Sequence, residues 1–178
     1  MTSKIKVNIL ADGGDNAILT SNGSGTVTIN NAALTNANFF IARNSGVQTI
    51  SDATWTKVTM GTADVDDDSV WNTSTSRFTA PSAGNYIFSY VVGLYGDSGA
   101  VGPIWATRFY KNGSLLNRGT YNGLSLSSVN MTEKYAGTTC MLALSASDYI
   151  ELYAYFNVTS GSPAIDQTTQ MSGFKIIG

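Results

Sequence analysis

The segment Arg77–Tyr90, RFTAPSAGNYIFSY, sets a short apolar strand, a Pro-x-x-Gly corner and a long alternating strand end to end. Pro81 fixes its φ and donates no hydrogen bond, and Gly84 is free to take a positive φ, so the chain is forced from one sheet to the next at this corner. Beyond it, Tyr86, Phe88, Tyr90, Val92 and Leu94 share one face of a single strand. The other face carries Ile87, Ser89, Val91, Gly93 and Tyr95, a set too apolar and too small for an ordinary wetted surface. Both faces of this strand are therefore expected to be covered.

The rest of the chain from Asn38 reads as β structure. Strands are expected at Phe39–Arg43, Thr54–Met60, Arg77–Thr79, Tyr86–Tyr95, Ile104–Lys111, Ser125–Tyr135, Thr138–Leu144, Tyr149–Val158 and Thr169–Ile177, with Gly, Asn, Asp, Ser or Pro between them. Regularly spaced short strands imply a sandwich or barrel. Asn112-Gly113 is the pair favoured in type I′ hairpin turns, because both residues tolerate positive φ. No segment has sustained helical periodicity. With 178 residues, 43% hydrophobic and only 12% charged, the chain has enough apolar surface for one well-buried core and is not a disordered polymer. A net charge of −2 with lysines and arginines scattered singly argues against nucleic acid and anionic membranes as partners. No apolar run approaches the roughly 20 residues of a membrane span. The opening MTSKIKVNIL lacks the apolar core of a secretory signal, so the protein is expected to be made and kept in the cytoplasm until assembly.

The Arg77–Tyr90 segment resembles the central motif of C1q-like domains, the jelly-roll group that includes tumour necrosis factor, with Phe78, Thr79, Pro81, Gly84, Tyr86 and Phe88 at its signature positions. Further matches follow in order: Phe40 and Ala42, then Arg108–Gly113, then Leu142–Leu152 with Asp148, then Ser172–Ile177. The resemblance covers residues 38–178 and implies a C1q/TNF-like jelly-roll sandwich preceded by a short extended β arm. It also implies a homotrimer built around a threefold axis by the inner sheets. On that arrangement the interface falls to Ile87, Ser89, Val91, Tyr95, Thr139, Met141, Ala143 and Phe174, largely apolar but small, which permits close packing.

Residues 1–37 differ in kind. Ile5, Val7 and Ile9 alternate, DGGDN interrupts them, and Ala17–Thr20 and Val27–Ile29 form two more short apolar pieces. Three tiny strands cannot bury a core alone, so they pair with the domain, with copies of themselves or with another protein. A flexible tail would not need Ile5, Val7, Ile9, Ile18, Leu19, Val27 and Ile29. The segment is similar to the attachment arms that precede C1q-like tips in bacteriophage fibre proteins, and is read as an attachment or oligomerisation arm.

Few motifs point to chemistry. Gly96-Asp97-Ser98-Gly99 spells the tetrapeptide around a trypsin-like nucleophile, yet the chain contains no histidine to take the serine proton. It is read as a loop. Asp64, Asp66 and Asp68 alternate as at the start of a calcium loop, but Ser69 stands where an EF-hand needs Gly and Thr75 where it needs Glu. A solvated charged loop and a loop calcium shared between chains are the two readings, and no other cofactor is indicated. The lone Cys140 lies in an alternating apolar run and is read as a small core residue. The Asn-x-Ser/Thr sequons at Asn22, Asn72, Asn112, Asn130 and Asn157 are read as chance products of an Asn- and Thr-rich chain. Alternation in Tyr149–Asn157 sends Ile150, Leu152, Ala154 and Phe156 inward and leaves Tyr149, Glu151, Tyr153 and Tyr155 outward. Those four form a sugar-binding row, or the tyrosines cover their cross-strand neighbours or pack on a second chain. Trp55, Trp71 and Trp105 are expected as core or loop anchors.

These readings converge on a non-enzymatic trimeric virion protein, a bacteriophage fibre or decoration protein on head or tail. Its arm would fasten it to another virion protein, and its domain would project toward a host carbohydrate or protein. The alternative is a bacterial or secreted C1q-like binding module.

Overall fold

The computed structural model describes residues 8–29, 39–96, 104–116, 122–125 and 134–176. Every strand pairing among them is antiparallel, and they form three sheets. The smallest is the meander β1 (Ile9–Ala11), β2 (Ala17–Ser21) and β3 (Val27–Ile29). Its two turns are closed by the same device. The Asp12 carboxylate accepts the N–H groups of Gly14 and Asn16, and the Asn22 side-chain carbonyl accepts those of Ser24 and Thr26, each an Asx cap two and four residues on.

The first large sheet contains β4 (Phe40–Arg43), β5 (Gln48–Thr49), β7 (Thr62–Asp66), β10 (Gly84–Gly96), β14 (Lys134–Leu144), β16 (Pro163–Ile165) and β17 (Gln170–Lys175). Its long axis is β10. On one side β14 runs beside it from Gly84↔Leu144 to Leu94↔Lys134, and on the other lie β17 and then β16. Beyond β17 come β4 and β7. The second large sheet is centred on β11 (Ile104–Lys111) and β15 (Tyr149–Asn157). It is completed by β6 (Thr56–Lys57), β8 (Trp71–Asn72), β9 (Arg77–Thr79), β12 (Ser114–Leu115) and β13 (Asn122–Ser125).

Between these two sheets lies the core. The residues that carried the family resemblance meet there: Phe40, Phe78, Tyr86 and Phe88 are fully buried. The Phe40 ring stacks on Trp71 at 5.0 Å and on Phe78 at 5.2 Å, and Phe78 meets Phe88 edge-on at 5.0 Å. Burial of side chains this large contributes about 1.5–3 kcal/mol each. Among the described residues, a buried polar contact links the two sheets through the core. The hydroxyls of Tyr90 and Thr107, from opposite sheets, lie 2.7 Å apart, and burial pushes the Tyr90 phenol up to about 12. At the corner after Pro81 the Tyr86 hydroxyl donates to the Ser82 carbonyl at 2.8 Å, which fixes the turn between β9 and β10.

Several strands depart from expectation. The strand expected at Thr138–Leu144 begins earlier, since Lys134–Leu144 is one strand continuous through Gly137, and of the strand expected at Ser125–Tyr135, residues 126–133 lie outside the described residues. Within Thr54–Met60 only Thr56 and Lys57 pair, against β15. The acidic run is not all loop, because Asp64 and Asp66 lie on β7, and Asp67–Ser69 forms a 3-10 turn after it. The Asn112-Gly113 turn is as expected, with φ of 51° and 74° at its two residues and Lys111 opposite Ser114.

Candidate functional site

Two uncovered sheet faces and the N-terminal meander are the surfaces on which function can rest. The first face lies on β14, β10 and β17, opposite the core. Strand register aligns it in rows: Met141, Ile87 and Phe174, then Thr139, Ser89 and Ser172, then Gly137, Val91 and Gln170. The expected interface residues thus come together on one surface. Met141 is 64% exposed, Val91 45% and Tyr95 41%; Thr139 and Ala143 are also exposed, and Ile87, Ser89 and Phe174 partly so. Sequence reading missed Tyr135, opposite Gly93 on the same face and 53% exposed. The apolar rows enclose a hydroxyl row in which Thr139 donates to Ser89 at 3.0 Å. A shallow cleft of about 290 Å³ opens between Ser89, Val91, Thr168, Gln170 and Ser172. On the core side of β14, Cys140 and Leu142 pack against the core, and burial pushes the Cys140 thiol up to about 11, so it is a weakly reactive packing residue.

The second face is the outer surface of β15 and its neighbours. Ile150, Leu152, Ala154 and Phe156 point inward and are buried, as alternation requires. The outward set needs one correction: Glu151 is only 3% exposed. Arg77 from β9 binds it at 2.9 Å and Lys57 from β6 at 3.3 Å, and these two cations cover it. The tyrosines are held in the same manner by neighbours. Tyr153 stacks on Tyr110 at 3.9 Å, the Arg77 guanidinium lies 3.7 Å over Tyr149, and Tyr155 packs against Trp55, whose ring carries the Arg108 guanidinium at 4.0 Å. Trp71 and Trp105 are core residues as expected, whereas Trp55 is a partly exposed member of this strip. The signal for Arg108 and Tyr110 was present in sequence, because Trp105, Thr107 and Phe109 point inward and fix the outward parity of β11.

The acidic run does not converge. Asp64 pairs with Arg43 at 2.8 Å, and Asp66 accepts the Trp71 backbone N–H at 2.9 Å. Among the described residues no group of three potential metal-ligating acids, cysteines or histidines gathers. Gly96 ends β10, and the remainder of the GDSG motif lies outside the described residues, as do Ile5 and Val7 of the arm. In the meander, Ile9, Ile18, Val27 and Ile29 are exposed, together with Leu10, which sequence reading did not select. Leu19 is partly buried between Leu10 and Ile29, its register partners on either side.

With two antiparallel sheets, a Pro-Gly corner and an aromatic core built from the signature positions, the fold is a C1q/TNF-like jelly roll. The solved globular domain of zebrafish complement 1qA protein is similar, at 17% sequence identity and a TM-score of 0.50, over 78% of this chain and 97% of that one. No protein-family profile and no curated protein matches the sequence.

Proposed function

We propose that this chain is a non-enzymatic, trimeric virion structural protein, a bacteriophage fibre or decoration protein. Residues 1–37 attach it to the particle and residues 38–178 form the outward domain. The observation that carries this reading is the uncovered face of β14, β10 and β17. A contiguous surface of Met141, Ile87, Phe174, Val91, Tyr95 and Tyr135 on β10, β14 and β17 costs free energy in water and is stabilised by burial against copies of itself. A threefold ring leaves no such face open. The meander supports the attachment role, because its exposed isoleucines, leucine and valine need a partner. The missing histidine and the absence, among the described residues, of a convergent metal-ligand group favour a structural over a catalytic protein.

Deletion of residues 1–37 tests the attachment role. The shortened protein is expected to remain a folded trimer and to fail to join particles. Unimpaired incorporation into particles would overturn it. The aromatic and cationic strip favours a second reading, a C1q-like binding module that acts free of any particle, and on that reading the deletion leaves ligand binding intact and no particle association to lose.

A further inference from the structure

We propose that Asn22 is a self-modifying residue of the N-terminal meander: the Asn22-Gly23 turn closes on itself to a succinimide, loses ammonia and opens to aspartate or isoaspartate. The reaction takes only water as co-reactant and needs no partner protein.

The chain has three Asn-Gly pairs, at Asn22, Asn112 and Asn122. In each, glycine has no Cβ to hinder its nitrogen, and that nitrogen and the Asn Cγ hang from the same Cα, so a ring closes by bond rotation alone. The glycine nitrogen bonds to Cγ, the Cγ–Nδ2 bond breaks, and ammonia departs with the nitrogen's proton. Water then opens the ring at either carbonyl. What separates the three pairs is whether the fold lets the side chain turn and its amide leave. Asn112 is tied to the turn before β15 through both side-chain atoms: Nδ2 donates to Asp148 at 2.6 Å, and Oδ1 accepts the Tyr149 N–H at 2.8 Å. Asn122 Nδ2 donates to the Gly137 carbonyl at 2.6 Å, and Asn122 and Gly123 are paired with Thr107 and Ala106 across β13 and β11. Ring closure at these two sites breaks ties between strands.

The hydrogen bonds of Asn22 are all local. Its Oδ1 accepts the N–H groups of Ser24 at 2.8 Å and Thr26 at 3.1 Å, and its Nδ2 makes no hydrogen bond among the described residues. Two donors on Oδ1 draw electron density from Cγ and receive the negative charge that the attack places on that oxygen. The Gly23 N–H points to the Ser21 hydroxyl at 3.2 Å instead of into a strand pairing. No atom stands within 4 Å of where a Gly23 Cβ would be, so solvent hydroxide reaches the nitrogen. The first turn of the meander is the contrast. Asp12-Gly13 carries the same cap, but the Asn16 side-chain amide and the Gly14 and Asn16 N–H groups hold its carboxyl below the ordinary 3.8, and an ionised carboxylate is a poor electrophile. Asp12 also shows that the aspartate product keeps the cap. The isoaspartate product lengthens the backbone by one atom and loses it, which loosens the turn between β2 and β3.

The test incubates the full-length protein in mildly alkaline buffer, folded and, in parallel, in denaturant. Tryptic cleavage after Lys6, Arg43, Lys111, Arg118 and Lys134 puts the three pairs on separate peptides. Mass spectrometry then reads the conversion of amide to acid at each, and methylation by an isoaspartate-specific methyltransferase reports the second product. Denaturation removes the fold's hold on every pair, so the ratio of folded to denatured rates isolates what the structure contributes. Asn22 is expected to convert in the folded protein at least as fast as in denaturant, and Asn112 and Asn122 at least tenfold more slowly than in denaturant. A folded rate at Asn22 well below its denatured rate overturns the proposal. Conversion of Asn112 or Asn122 as fast as Asn22 in the folded protein overturns it as well.

Discussion

Gly173 lies on β17 directly under two aromatic rings. A Cβ there would stand 2.6 Å from Phe88 Cδ1 and 2.9 Å from both Phe40 Cε1 and the Ile87 carbonyl oxygen. Neither ring can withdraw, since each is fully buried among other aromatics, and the carbonyl belongs to the strand next door. Gly173→Ala is accordingly expected to destabilise the fold by about 1–3 kcal/mol, the ordinary cost of overpacking a core. Chemical denaturation reads this as a lower midpoint at unchanged slope, and an unshifted midpoint would contradict the packing described. At this scale the sequence was informative about direction and silent about cover. Alternation correctly separated Ile150, Leu152, Ala154 and Phe156 from their outward neighbours. It could not tell that Glu151 is covered, because the covering groups, Arg77 and Lys57, come from strands 74 and 94 residues away.

Three of the four described strands of eight residues or more were legible as elements, and the fourth, β14, was divided at Gly137. β11 was found to the residue, and β10 and β15 nearly so. What escaped were pieces of two or three residues, β5, β8, β12 and β16, too short to show any period and held only by their neighbours in the sheet. β7 was hidden by composition, since TADVD is strand only because it pairs with β4, where Arg43 meets Asp64. The turns that join elements carry their own chemistry, and Asp148 is the main example. Lys111 at 2.7 Å, the Asn112 side-chain amide at 2.6 Å and the Ser145 backbone N–H at 2.7 Å hold its carboxyl down at about 2. Asp148 thereby ties the turn after β11 to the turn before β15. A carboxyl depressed in the folded state stabilises the fold above its ordinary value of 3.8, and that contribution is lost as pH falls through about 2. Asp148→Asn should flatten the fall of melting temperature across that acid window relative to the native chain. Parallel pH profiles for the two proteins would contradict the assignment.

The whole molecule is a sandwich with an unusual division of its surfaces. One sheet turns an apolar face outward along its two longest strands, β10 and β14, while the other sheet covers its outward face with rings and paired charges. The sequence anticipated the first of these, because Ile87, Ser89 and Val91 are ill suited to water, and missed the second, because the strip is assembled from β6, β9, β11 and β15. The central claim is that the apolar face is closed by two further copies of the chain. Multi-angle light scattering of the purified full-length protein at micromolar concentration tests it most directly. The account predicts a single species of three times the chain mass, and a stable species of one chain mass would contradict it.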